Sequence, residues 1–234
     1  MKLDVEDLSK LKYFSNKKKF RNRHKLLPQF PFNMIISGQT GAGKTMLLLN
    51  LIVKWIVFDK LYLYTKHMDQ PAVQMLITFF EKIQAKTGEE LLFVSSDIED
   101  VVPVDELDGS IQNLVVFDDF ILESNLDTVV DYYVRGRHRN CSNIFLTQIY
   151  TKIPRPIRLN TKIFCFFFFP AKELQILNSE INFCLTKEKF KELFVKAINE
   201  KYNFFYVDTT QKKKALMFRK NFNQILIDKE MVDG

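Results

Sequence analysis

Residues 34–49 read MIISGQTGAGKTMLLL, and the eight in the middle, GQTGAGKT at 38–45, set the reading of the whole chain. They match G-x-x-x-x-G-K-[ST], the phosphate-binding loop, whose four fixed positions arise by chance in about one chain in a hundred of this length. The flanks add weight. A short apolar run, 34–36, enters the loop as a strand would, and a longer one, 46–58, leaves it as a helix would. The chemistry needs this order. Glycines let the backbone of Gly38, Gln39, Thr40, Gly41, Ala42, Gly43, Lys44 and Thr45 turn its N–H groups inward around phosphates. The start of the following helix adds the positive end of its dipole. Lys44 can reach the β- and γ-phosphates of ATP, and the Thr45 hydroxyl can ligate Mg2+.

Glycine is otherwise scarce. The chain has seven in 234 residues, where average usage gives about sixteen. Three of the seven, Gly38, Gly41 and Gly43, sit in this one loop. A chain that is 47% hydrophobic and 26% charged is globular, with room for one sizeable domain. Its net charge of +6 leans mildly towards anionic partners. The apolar stretches 46–58 and 163–169 fall short of the ~20 residues of a membrane span, and Lys54 interrupts the first. The opening MKLDVEDLSK carries acids and no apolar run follows it, unlike a signal peptide. Cys141, Cys165 and Cys184 form no CxxC pair, so neither a zinc site nor a disulfide framework is indicated. The expectation is a soluble intracellular protein without a membrane span.

Outward from the loop, short apolar runs alternate with helical patterns. LYLY (61–64), LLFV (91–94), LVVF (114–117), IFL (144–146) and IFCFFFF (163–169) read as strands. They are continuous rather than alternating, as strands covered on both faces of a parallel sheet should be. Between them, Val73, Leu76, Phe79, Phe80 and Ile83 share one helical face, with Pro71 in the first turn. Leu126, Val129, Val130 and Tyr133 share another, with Asn125 placed to cap it. Near the end, Phe190, Leu193, Phe194, Ala197 and Ile198 mark an amphipathic helix. YNFFYV (202–207) and ALMF (215–218) read as a hairpin pair. The predicted fold is α/β, a P-loop NTPase with a central, mostly parallel sheet flanked by helices and a C-terminal hairpin. Residues 1–27, with eight basic residues and no acid between Leu8 and Pro28, read as a basic extension before a single domain at 28–234.

A P-loop enzyme needs an acid at the tip of a second strand, and NLVVFDDF (113–120) supplies two. Asp118 is the candidate metal-side carboxylate, and Asp119 stands where hydrolytic ATPases polarise the attacking water. Glu123 is the other candidate base. The runs 61–64 and 91–94 separate the loop from this acidic strand in sequence. That spacing suits the P-loop branch with an extra strand between the two. A guanine-reading N/T-K-x-D motif is missing, which disfavours a GTPase. Arg135, Arg137 and Arg139 then cluster before a strand that leads to Gln148. Gln148 could sense the γ-phosphate, and an arginine presented to a neighbouring subunit could stabilise transition-state charge. His24, His67 and His138 show no ligand spacing.

In this order, PFNMIISGQTGAGKT (31–45), YTKHMDQP (64–71), LVVFDDF (114–120), RGRHRNCSNIFLTQ (135–148) and IPRPIRLNTKIF (153–164) resemble the DNA-packaging ATPases of large DNA viruses and virophages, within the FtsK–HerA superfamily. The resemblance covers roughly residues 28–170. It implies a Walker A motif at 38–45, a Walker B pair at Asp118 and Asp119, and a sensor at Gln148. Arginine-finger candidates are Arg135, Arg137 and Arg139. Asp119 stands where the wider superfamily usually has Glu. The implied activity is ATP hydrolysis in a homomeric ring of five or six subunits that threads double-stranded DNA into a preformed capsid. The setting would be the host cytoplasm or viral factory, with association with the virion open, and a chain without the extra domains of cellular translocases would be a minimal motor. Three basic groups, 10–25, Lys152/Arg155/Arg158 and 212–214, offer sequence-blind contacts to DNA phosphates. A helicase, a transposition ATPase and a non-catalytic ATP-binding assembly switch remain alternatives, since the first two use the same ATP chemistry.

Overall fold

In the computed structural model the described residues are 20–123, 125–181 and 185–227. Cys184 and the basic residues Lys10, Lys12, Lys17, Lys18 and Lys19 lie outside them. A nine-stranded sheet runs through the molecule in the order β3-β2-β4-β5-β1-β6-β7-β8-β9. Its strands are β1 (Asn33–Ser37), β2 (Lys60–Thr65), β3 (Leu92–Ser95), β4 (Asn113–Asp118), β5 (Cys141–Thr147), β6 (Ile163–Phe166), β7 (Phe205–Asp208), β8 (Phe218–Lys220) and β9 (Gln224–Ile225). The pairs among β1–β6 are parallel, whereas β7, β8 and β9 are added antiparallel. The helices are α1 (Lys44–Asn50), α2 (Pro71–Thr87), α3 (Asp127–Arg135), α4 (Arg155–Asn160), α5 (Ala171–Ile181), α6 (Lys187–Ala197) and a short α7 (Lys214–Met217).

Two apolar layers explain why the strand runs are continuous. Ile35, Val115, Phe117, Phe145 and Phe164 face one layer, shared with Val129 and Tyr132 of α3, Leu177 of α5, and Phe190 and Phe194 of α6. Their neighbours Met34, Ile36, Leu114, Val116, Ile144 and Leu146 face the other, shared with Leu47 and Leu48 of α1 and Leu76 and Phe80 of α2. Successive side chains of a strand point to opposite faces. With both faces covered, the interior positions of β1, β4 and β5 are apolar, and buried polar residues such as Ser37, Asn113, Ser142, Asn143 and Thr147 stand at or near strand ends.

The expected inserted strand is present, but it is β5, which follows the acidic strand in the chain and lies between β4 and β1. The runs at 61–64 and 91–94 form β2 and β3 on the far side of β4. Other boundaries also differ. The run 163–169 stays in the sheet only to Phe166, and Phe168 is exposed. ALMF folds mostly into α7, so the hairpin partner of β7 is Phe218–Lys220. Asn125 does not cap α3 from the cap position, which is Leu126, although its Oδ1 accepts from the Asp127 N–H at 2.9 Å. On α2, Val73, Leu76 and Phe80 are buried, whereas Phe79 is exposed.

The described part of the basic extension lies against this sheet. The Arg21 N–H donates to Gln112 Oε1 at 2.7 Å, and its guanidinium pairs with Asp59. Arg219 of β8, wholly buried, donates to the carbonyls of Leu26 (2.9 Å) and Phe222. Its guanidinium also faces Asp208 at 3.7 Å and the Tyr206 ring at 4.4 Å. Removing Asp208 would strand a buried cation, which typically costs about 3–5 kcal/mol. Among the described residues, no helix is long and apolar enough to cross a membrane.

Candidate active site

Because β1, β5 and β4 are parallel neighbours, the residues that follow them emerge along one edge of the sheet. The register pairs Ser37 with Thr147 and Leu146 with Asp118. The phosphate loop therefore starts beside Gln148, with Asp119 one strand further on. Ligands of parallel α/β sheets bind outside these carboxyl ends.

The loop is held from both sides. Gly38 N–H donates to Thr147 O (3.3 Å) and Gln39 N–H to Phe168 O (3.2 Å). A Cβ on Gly38 would lie 2.5 Å from the Cβ of buried Phe167, whose own N–H is tied to the Ser37 carbonyl at 2.9 Å. Gly43, at φ 110°, makes the left-handed turn into α1, a conformation that favours glycine. Lys44 reaches back under the loop, and its Nζ donates to the carbonyls of Gly38 (2.7 Å) and Gln39 (3.0 Å). Burial lowers its pKa, against the opposing charges of Asp119 and Asp118.

Asp118 is the last residue of β4 and is 8% exposed. Its Oδ2 accepts from Thr65 Oγ1 at 3.0 Å, and Thr65 is its register partner at the end of β2. Burial pushes the Asp118 carboxyl pKa up, while the Thr65 hydrogen bond, His67 and Lys44 pull it down. Asp119 follows in a left-handed conformation (φ 62°), its N–H donating to Leu146 O at 3.2 Å. Its Oδ2 lies 3.0 Å from His67 Nε2 and 3.5 Å from Gln148 Nε2. Gln148 Oε1 in turn accepts from Thr40 Oγ1 at 2.9 Å. One polar chain thus runs from the loop through Gln148 and Asp119 to His67. Glu123 is turned elsewhere, with its Oε1 2.5 Å from Lys66 Nζ.

The donor set suits a small hard cation. One buried carboxylate, Asp118, and one loop hydroxyl, Thr45, offer oxygens to an ion that takes its other ligands from phosphate and water, as Mg2+ does. Among the described residues, no group of three or more His, Cys, Asp or Glu side chains could hold a metal by itself.

The three arginines are not brought to this edge. Arg135 ends α3, and Arg137 and Arg139 sit in the 3-10 turn before β5, at the opposite end of that strand from Gln148. Arg135 pairs with Asp105 (2.8 Å) and Asp131 (2.6 Å), while Arg137 is exposed. Of the other basic groups, Lys152, Arg155, Lys212 and Lys213 are exposed. Arg158 is instead committed to Glu180 at 3.2 Å and to the Thr151 carbonyl.

Thr65 and His67 belong to the site although neither has motif spacing. The available signals were their position just past a predicted strand, at the edge where ligands bind, and the YTKHMDQP stretch (64–71) that carries both residues. That β2 neighbours β4 is a tertiary fact.

Residues 17–219 match the family described as poxvirus A32 protein. The DNA packaging protein OPG160 of vaccinia virus (strain Copenhagen) is 31% identical over 153 residues, covering 62% of this chain and 56% of that protein. Its namesake from monkeypox virus is also 31% identical over 153 residues, covering 62% of this chain and 50% of that protein. The matched region spans about half the length of these curated relatives. The DNA-packaging ATPase B204 of Sulfolobus turreted icosahedral virus superposes with a TM-score of 0.57 at 15% identity, covering 82% of this chain and 98% of that one. The genome packaging NTPase B204 of Sulfolobus turreted icosahedral virus 2, in complex with AMPPCP, gives 0.56 at 12%, covering 81% and 96%. At such identities the likeness is one of fold. The family match runs from ahead of β1 into β8, across the phosphate loop, both carboxylates and Gln148, and the chain belongs to the poxvirus A32 protein family.

Proposed function

We propose that this chain is an ATP-driven double-stranded DNA translocase that packages a viral genome into a preformed capsid. The observation that carries the reading is the meeting of Lys44, Asp118, Asp119 and Gln148 at one sheet edge, linked by the Thr40–Gln148–Asp119–His67 chain. The loop N–H groups and Lys44 bind the phosphates of ATP. Asp119 accepts a hydrogen bond from the water that attacks the γ-phosphorus, and Gln148 holds that water in line as the bond to ADP breaks. His67 orients the Asp119 carboxylate through Oδ2, the oxygen that Gln148 also reaches. Mg2+, held by Thr45 and through water by Asp118, would spread the charge of the β- and γ-phosphates.

One of Arg135, Arg137 and Arg139 supplies transition-state charge to the next subunit, in a ring of five or six. The relatives named as DNA packaging proteins and the packaging ATPase fold support the reading. Residues 1–27 act as a basic arm ahead of the 28–234 ATPase domain. With Lys152, Arg155, Lys212 and Lys213 the arm contacts DNA phosphates without regard to sequence. The work is done inside the infected cell, where the capsid proteins are the further partner.

The test is ATP hydrolysis with and without duplex DNA, beside duplex-translocation and strand-displacement assays on the same preparation. Duplex-stimulated turnover with translocation and no strand separation is expected. Strand separation would make the protein a helicase, and ATP binding with no turnover under any condition would make it a switch.

A further inference from the structure

Away from the hydrogen-bonded chain, an open cavity of about 630 Å³ lies against the phosphate loop, walled in part by Gly43, Met46, Asn50, Phe167, Tyr202 and Asn221. Three observations set it apart. It shares Gly43 with the loop, and the Tyr202 ring packs so closely there that a Cβ on Gly43 would lie 3.2 Å from Tyr202 Cδ1. Next, Tyr202 and Met46 are 59% and 60% exposed, two large apolar side chains beside a loop built for charge. Finally, Tyr202 (φ 69°) and Asn221 (φ 54°) both hold left-handed backbone. Asparagine takes that conformation readily but tyrosine rarely does, so the Tyr202 side chain stands against a backbone preference, as residues at binding sites often do.

We infer that this cavity takes the purine base of the nucleotide whose phosphates lie in the loop, with Tyr202 as its stacking surface. The inference rests on the nucleotide-binding reading above and adds to it which base is accepted and how. The loop residue Thr40 is bonded to Gln148 and through it to Asp119, on the side where the reacting phosphoryl group belongs, so the base leaves by another side. Gly43 and Met46 open onto this cavity.

The polar side chains in the wall are largely occupied. Asn221 donates to Asn203 Oδ1 (2.8 Å) and accepts from the Phe204 N–H (3.2 Å), and Asn50 donates to Met46 O (2.8 Å). Recognition therefore falls to the face of the base rather than its edge. Stacking on an aromatic ring tolerates any base with enough π-surface. ATP and GTP should bind alike, and CTP more weakly. Lys201 Nζ, 4.8 Å from the centre of the Tyr202 ring, braces that ring through a cation–π contact.

The experiment is equilibrium binding of ATP, GTP, CTP and inorganic tripolyphosphate to the full chain and to Tyr202→Gly and Tyr202→Phe. Glycine relieves the left-handed strain, so the first variant should melt no lower than the parent. It should bind ATP and GTP about tenfold more weakly, with tripolyphosphate unchanged, and Tyr202→Phe should behave as the parent. Unchanged ATP affinity in Tyr202→Gly overturns the inference. An equal loss for ATP and tripolyphosphate also overturns it, because the ring would then only support Gly43. Equal parent affinity for CTP and ATP overturns the purine assignment. Failure of the parent to bind either ATP or tripolyphosphate overturns the nucleotide reading itself.

Discussion

The two ends of β5 have opposite characters. At its carboxyl end Gln148 joins a chain of hydrogen bonds that ties the phosphate loop to Asp119 and His67. At its amino end, Arg135 meets only acids of its own surface, Asp105 and Asp131, and Arg137 is exposed. Seven residues of strand separate the two ends, a span on the order of 20 Å, so no arginine of this cluster can reach the loop of its own chain. The candidate site and the candidate fingers thus lie at opposite ends of β5, so the proposed finger has to come from a neighbouring subunit.

The largest expected effect tests that contrast directly. One of Arg135→Ala, Arg137→Ala and Arg139→Ala should lower turnover by about 10³-fold, the usual worth of an arginine finger. Mixed with Lys44→Ala subunits, also inactive alone, that variant should regain activity where an intact loop meets an intact arginine. No regain for any of the three, in rings shown to be mixed, would remove the intersubunit role. Within the carboxyl-end network, Asp119→Asn should keep ATP affinity and reduce turnover by about 10²-fold. Glu123→Gln should change turnover little, because Glu123 is paired with Lys66. The reverse outcome would move the base to Glu123.

A smaller effect is expected one residue further out. His67→Ala should lower kcat by about tenfold with KM for ATP unchanged, since His67 only orients Asp119. His67→Asn, which can still donate to the carboxylate, should restore part of it. A matching rise in KM would assign His67 to binding instead. The smallest effect is on stability. Burial raises the Asp118 pKa, so its charged form is a penalty at neutral pH that is relieved as pH falls through the folded-state value. Asp118→Asn should therefore melt a few degrees higher at neutral pH, and the gap should close on acidification. A lower melting temperature would mean that the Thr65 hydrogen bond outweighs the burial.

Much of this was legible without coordinates, for identifiable reasons. The phosphate loop is local: its eight residues are contiguous, and the strand and helix around them are read from adjacent apolar runs. Asp118 and Asp119 were readable because an acidic pair ends an apolar strand run. His67 was not, because its partner Asp119 is 52 positions away and is met only across β2 and β4. Tyr202 was hidden more deeply. It sits in a segment that reads as a strand, yet it takes a left-handed turn just ahead of β7 and comes to rest on Gly43. The hairpin misreading at 215–218 has a similar cause, since four apolar residues carry no period long enough to separate a strand from one turn of helix.

By itself, then, the sequence determined the fold class, the phosphate loop and the acidic strand end, because each depends on residues close together in the chain. Only the tertiary structure decided the strand order. That order puts β5 between β1 and β4, sets Gln148 beside Thr40, brings His67 to Asp119, and sends the three arginines to the far edge. Side-by-side placement of strands depends on which faces pack together over the whole core, and no local pattern encodes it.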